Sequence, residues 1–208
     1  MEQSILRQER ANAISHGVGI LLSIAGLILL ILQAVQTGNV WHIASFTVFG
    51  LSLILLYTAS TLLHSARREP WVSFFEVLDH SAIYVLIAGT YTPYLLVTIR
   101  GPLGWSLFGT VWGLALLGII FKFFFVKKFN FLSTLFYIGM GWMIIFAFEP
   151  LQQQLSAPGV MWLVIGGVLY TFGTVFYLWR RLPYHHMIWH LFVLAGSVCH
   201  FISVYLYV

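Results

Sequence analysis

The chain has 208 residues, of which 60% are hydrophobic and only 8% charged, with a formal net charge of +4. Soluble domains carry roughly 25% charged residues, so this composition excludes a soluble globular protein and points to an integral membrane one. The basic residues are scattered in pairs rather than gathered into a stripe, which argues against a nucleic-acid partner, and the single cysteine, Cys199, excludes an intrachain disulfide and any CxxC motif.

The N-terminus, MEQSILRQERANAISHGVG, is polar and of mixed charge. It runs into an apolar stretch with no small-residue cleavage site, so the first span is expected to stay as a membrane helix rather than leave as a signal peptide. At about 20 residues per span, helices are predicted near 14–35, 41–65, 76–98, 104–125, 130–149, 159–180 and 185–207. Gly38-Asn39, Glu69-Pro70, Gly101-Pro102, Glu149-Pro150 and Leu182-Pro183 punctuate the connections. The expected fold is therefore all-α, a seven-transmembrane-helix bundle forming a single membrane domain over residues 1–208. No internal repeat and no pair of broken helices stands out, so an inverted-repeat transporter has little support.

Orientation follows from lysine and arginine. Arg7 and Arg10, Arg67 and Arg68, Lys122, Lys127 and Lys128, and Arg180 and Arg181 all fall on one side of a seven-span chain, and only Arg100 falls opposite. The N-terminus is thus expected in the cytoplasm and the C-terminus outside. Trp41, Trp71, Trp105, Tyr184, Tyr205 and Tyr207, near the span ends, suit interfacial anchors.

Against this apolar background five polar groups stand out. Ser60 and His64 are four residues apart, as are His186 and His190, so each pair shares one helix face. Asp79 is the only aspartate in the chain and is expected one turn into the third span. The predicted topology brings all five to one depth, within about one or two turns of the cytoplasmic surface. Ionisable groups inside a membrane are costly unless they pair, bind a metal or line a wet cavity. Three imidazoles form a catalytic-type zinc set with one position left for water. Asp79 is suited to hold or deprotonate that water or to orient a ligand, and Ser60 to bond the water or a developing oxyanion.

Each group also has a plainer reading. His64 alone suits an interfacial position, and Ser60 suits a packing serine bonded to the carbonyl four residues back. Asp79 suits an ion pathway or a salt bridge to Arg67 or Arg68. Among the other histidines, His80 and His185 are turned about 100° from their neighbours, His42 lies on the outer side, and His200 is expected to pack or hydrogen-bond in the interior. Glu9, Asn12 and His16 have helical spacing and are expected to form a polar edge to the site or a helix-start network.

Glu9-x-x-Asn12-x-x-x-His16, Ser60-x-x-x-His64, Leu78-Asp79 running into Gly89-Thr90-Tyr91-Thr92-Pro93, and His186-x-x-x-His190 occur in that order. Over nearly the whole chain they resemble the hemolysin III branch of the progestin and adipoQ receptor family, which includes the adiponectin receptors. The resemblance implies a cytoplasm-proximal zinc on His64, His186 and His190, with water held by Asp79 and Ser60 nearby. The wider superfamily contains alkaline ceramidases, which implies zinc-activated hydrolysis of a lipid amide or ester, with a membrane lipid as substrate or ligand. The large N-terminal region of the animal receptors has no counterpart, so hormone recognition is not expected.

Three alternatives remain. In the first, the protein is a non-catalytic sensor or regulator of membrane homeostasis with structural zinc. The second is haemolysin-like cytolytic activity, disfavoured because a resident multi-span chain without a secretion signal has no insertion-competent soluble form. The third is a proton or ion transporter, for which one well-placed carboxylate is thin support. A multi-pass position in a bacterial plasma membrane is the expected location.

Overall fold

The computed structural model describes residues 2–208. Among these, every regular element is helical: α1 (Glu2–Thr37), α2 (Val40–Ser65), α3 (Glu69–Pro93), a π-helical turn (Tyr94–Ile99), α4 (Gly101–Phe125), α5 (Asn130–Gly141), a 3₁₀ segment (Met143–Ala147), α6 (Phe148–Gln154), α7 (Ala157–Leu178) and α8 (His185–Tyr207). Counting α3 with its π-turn as one span and α5 through α6 as another, seven segments are long and apolar enough to cross a membrane. The all-α, seven-span expectation holds.

Local chemistry explains the boundaries. α1 begins twelve residues before its expected start, because its polar head is rich in good helix formers such as Leu6, Arg7, Gln8, Ala11 and Ala13 and contains no glycine or proline before Gly17. It stops at Gly38, where φ is +64°, and Asn39 caps α2 by accepting from the Trp41 N–H at 2.9 Å. α3 starts at Glu69 rather than 76, since Pro70 occupies a first-turn position where its missing N–H costs nothing. Asp79 therefore lies ten residues into α3, not one turn. Lys122 falls in the last turn of α4 and is buried.

The fifth span is broken in mid-course, contrary to expectation. Glu149-Pro150 does not end it; the interruption comes earlier, at Trp142–Ala147, and α6 continues beyond. Backbone groups freed inside an apolar medium need partners, and Tyr91 of α3 supplies them. Its hydroxyl donates to Gly141 O at 2.7 Å and accepts from the Ile144 N–H at 2.9 Å.

The helices form a closed ring. α1 packs on α2 and α8, α2 on α3, α3 on α5, α5 on α7, and α7 on α8, while α4 lies outside the ring against α3. α3 is the most enclosed span, with 72% of its most apolar window buried, against 22% for α4. The ring surrounds a cavity of about 460 Å³, to which α4 contributes no lining residue.

Tyr91→Phe keeps the ring in place but leaves a carbonyl and an N–H unpaired at the break. We expect a loss of about 1–3 kcal/mol, read as a lowered unfolding midpoint in detergent; an unchanged midpoint would mean that the hydroxyl does not hold the break together.

Candidate metal centre

His64 sits in the last turn of α2, while His186 and His190 occupy the first two turns of α8. Closure of the ring at α1 brings these two helix ends together. The three side chains each offer a nitrogen, and these atoms lie within 4.8 Å of one another. Ring centroids are 4.9 Å apart for His64 and His186, 5.1 Å for His64 and His190, and 4.6 Å for His186 and His190.

Hydrogen bonds fix which nitrogens are free. His64 Nδ1 lies 2.7 Å from Glu9 Oε2, a carboxylate oxygen that only accepts, so Nδ1 carries the proton. The Asn12 amide lies 3.5 Å from the same nitrogen. His190 Nδ1 is 3.2 Å from Asn12 O and 3.0 Å from Ser15 Oγ, whose own proton goes to Asn12 O at 2.8 Å. Nδ1 of His190 is therefore a donor as well. In both rings Nε2 is left with a bare lone pair, and His64 Nε2 is buried with no hydrogen-bond partner among the described residues. Metal-binding imidazoles are characteristically held this way, one nitrogen on the ion and the other donating to a carboxylate or carbonyl. Nitrogens bonded to one zinc at about 2.0–2.1 Å in tetrahedral geometry stand about 3.4 Å apart, a separation that small rotamer shifts supply here. The residues fit a metal ion.

Asp79 and Ser60 both line the cavity beside this cluster, as do His186 and His190. His80 Nδ1 lies 3.9 Å from the Asp79 carboxylate; among the described residues no salt bridge joins Asp79 to Arg67 or Arg68. Ser60 is 1% exposed, and its hydroxyl has no partner among the described residues. It is therefore not spent on the carbonyl one turn back, as a packing serine would be.

The remaining histidines divide differently from expectation in one case. His80 does line the cavity: its Nδ1 donates to Glu76 O at 2.8 Å and its Nε2 accepts from the Tyr177 hydroxyl at 3.2 Å. The α3 wall is a stripe two residues wide, comprising Asp79, His80, Ile83, Leu86, Ile87, Thr90, Tyr91 and Tyr94, so a 100° offset keeps a side chain within it. His185 is turned away, with Nδ1 3.1 Å from Phe176 O. His42 joins the chain end, Nε2 lying 3.1 Å from Val208 O. His200 is buried against Leu163 O. Glu9 and Asn12 contact His64 as a polar edge, and His16 lies flat on His190 with centroids 3.5 Å apart and planes at 12°.

The chain matches the family described as haemolysin-III related over residues 5–201, a stretch that contains every residue of the site. It belongs to that family. It is 54% identical over 202 residues to the Hemolysin-3 homolog of Bacillus subtilis (strain 168), covering 97% of this chain and 95% of that protein. Hemolysin-3 of Bacillus cereus is 54% identical over 203 residues, covering 98% and 93%. The human monocyte to macrophage differentiation factor is 27% identical over 209 residues, covering 96% and 84%.

Glu9→Ala removes the acceptor that orients His64. It should weaken binding of a divalent metal about 10–100-fold, measured by competition with a chromophoric chelator, while His190→Ala should abolish it. Equal affinity in Glu9→Ala and the parent would show that the carboxylate does not hold a ligand.

Proposed function

We propose that this haemolysin-III related protein is a membrane-embedded hydrolase of a lipid amide or ester, with zinc held by His64, His186 and His190 near the cytoplasmic face of a bacterial plasma membrane. One observation carries the reading: the histidine cluster, Asp79 and Ser60 meet at one end of a largely apolar cavity walled by helices of membrane-spanning length. A metal that only braced the helices would need no such chamber.

Zinc bound there supplies a Lewis acid and makes water a nucleophile at neutral pH. The protein's own residues do the rest. The carboxylate of Asp79 takes a proton from water as its oxygen bonds to the carbonyl carbon. The Ser60 hydroxyl donates to the carbonyl oxygen as negative charge gathers on it. When the C–N or C–O bond breaks, Asp79 returns the proton to the leaving nitrogen or oxygen. The apolar wall receives the acyl chain and keeps bulk water from the reacting carbonyl.

A regulatory reading, with zinc as a structural brace, draws on a different observation. His64 and His190 are both tied to α1, so an ion between them would cross-link α1, α2 and α8. The two readings part at Asp79. The purified protein is expected to release fatty acid from a ceramide-like or other acyl substrate, with loss on chelation. Asp79→Ala should lower that turnover about 10²–10⁴-fold with metal content unchanged. Undiminished turnover in Asp79→Ala would remove the mechanism, and no turnover by the metal-loaded parent would favour the brace.

The clustering of basic residues at the end that carries the N-terminus supports a cytoplasmic site. Cys199 is buried, so background labelling by thiol reagents is low. An impermeant maleimide should label Asn39→Cys in intact cells and Arg68→Cys only after permeabilisation; the opposite pattern would invert the orientation.

A further inference from the structure

Three helices give the cavity the same length. Its lining runs from Asp79 to Tyr94 along α3 and the turn that follows it, from Tyr177 to Leu163 along α7, and from His186 to His200 along α8. At a rise of 1.5 Å per residue each run covers about 21–23 Å. Direct contacts show both sets of ends to be level. At the histidine end, His80, beside Asp79, accepts from the Tyr177 hydroxyl at 3.2 Å, and the rings of Tyr177 and His186 lie 5.9 Å apart. At the other end, His200 Nε2 donates to Leu163 O at 3.2 Å, and Tyr94 has Ser203, one turn past His200, as its side-chain hydrogen-bond partner.

That far end is shut. Ser203 Oγ donates to Gly159 O at 2.7 Å and so ties α8 to α7, while Gly159 lies against Leu155 and Tyr207. Leu155, Ser203 and Val204 are 3%, 0% and 0% exposed and form no part of the cavity lining. Gly166, lacking a side chain, lets the His200 ring seat against α7. Between the two ends the wall suits an alkyl chain. Ile83, Leu86, Ile87 and Val193 line it, and its threonines turn their hydroxyls to the backbone, Thr90 Oγ1 donating to Leu86 O and Thr171 Oγ1 to Gly167 O, both at 2.8 Å.

We propose that Tyr94, Leu163 and His200 form the end wall of an acyl-chain channel and limit the length of chain that a lipid can place there with its carbonyl at the histidine cluster. An extended alkyl chain advances about 1.25 Å per carbon, given C–C bonds of about 1.5 Å. About 16 carbons therefore fill the chamber, and a chain of 24, about 29 Å long, overruns it. A close-packed wall does not yield to the surplus without strain. The inference rests on the reading of the cavity as a lipid site, but not on hydrolysis.

The test is binding of the saturated fatty acids of about 16, 20 and 24 carbons to the purified full-length protein in nanodiscs. Displacement of a fluorescent fatty acid reads the affinity, corrected for each acid's partition into empty nanodiscs. Relative to the shortest acid, the middle one should bind about threefold and the longest about tenfold more weakly. Leu163→Ala, which cuts back the end wall, should bring the middle acid to within about 1.5-fold of the shortest. The comparison in the parent protein needs no variant to fold. Equal or tighter binding of the longest acid there would overturn this inference alone, with the chain leaving sideways past Ile145, a lining residue 62% exposed. An unchanged threefold ratio in Leu163→Ala would overturn it by placing the limit elsewhere. Failure of all three acids to bind would bring down the lipid-site reading along with it.

Discussion

The contact between Glu9 and His64 governs the rest of the site. An imidazole has two nitrogens, and inside an apolar bundle neither can be left to bulk water. By accepting a hydrogen bond from the Nδ1–H of His64 at 2.7 Å, Glu9 leaves Nε2 as a lone pair facing the other histidines. Asn12 and Ser15 do the same for His190 through a backbone carbonyl and a hydroxyl. The three acceptors lie within two turns of α1, so one helix sets the tautomers of histidines on two others. This is why the polar head of α1 is ordered as helix and packs inward, and why the ring must close between α1 and α8.

The same need for satisfied polar groups shapes the cavity. A continuous fifth helix would require no side chain to cap its middle. The interruption at Trp142–Ala147 is tolerable because Tyr91 pairs with both the carbonyl and the N–H that it frees. Gly141, Trp142, Ile144 and Ile145, all at or beside the break, line the cavity. Tyr91 thus joins the inner stripe of α3 to the irregular stretch opposite, and the chamber and the break are one feature.

Much of this was legible in the residues. Seven apolar stretches, the one-sided basic pairs and the i, i+4 spacing of Ser60 with His64 and of His186 with His190 sufficed for the span count and for the convergence of three histidines, because these signals need only local periodicity and charge. The unread parts depend on tertiary partners. Nothing local in Met143–Ala147 distinguishes a 3₁₀ segment from a helix; the deciding group is a hydroxyl about 50 residues away in sequence. Pro70 reads as a breaker or as a first-turn residue until the packing of Trp71 on Phe75 is seen. A helical angle measured from Asp79 alone turns His80 away from the site, whereas the α3 face of the cavity is two residues wide. The inward packing of α1 had a signal, the helical spacing of Glu9, Asn12 and His16, but its partner His64 is 55 residues on.

His16 shows how geometry narrows the chemistry further. It is a buried histidine beside three others, and by proximity alone it would complete a four-histidine centre. Yet its ring lies flat on His190, with centroids 3.5 Å apart and planes only 12° from parallel. An imidazole lone pair lies in the plane of its ring, so two stacked rings direct their lone pairs along parallel sheets, and these do not converge on one ion. The edge of Tyr57 against His16, centroids 4.9 Å apart, holds it in that pose. A closed four-histidine site is therefore disfavoured, and a metal held by His64, His186 and His190 would lie beside the cavity that Asp79 and Ser60 line. Because His16 also lines that cavity with both nitrogens unpartnered among the described residues, a ring so poorly aimed for a metal is placed to hydrogen-bond what enters the cavity.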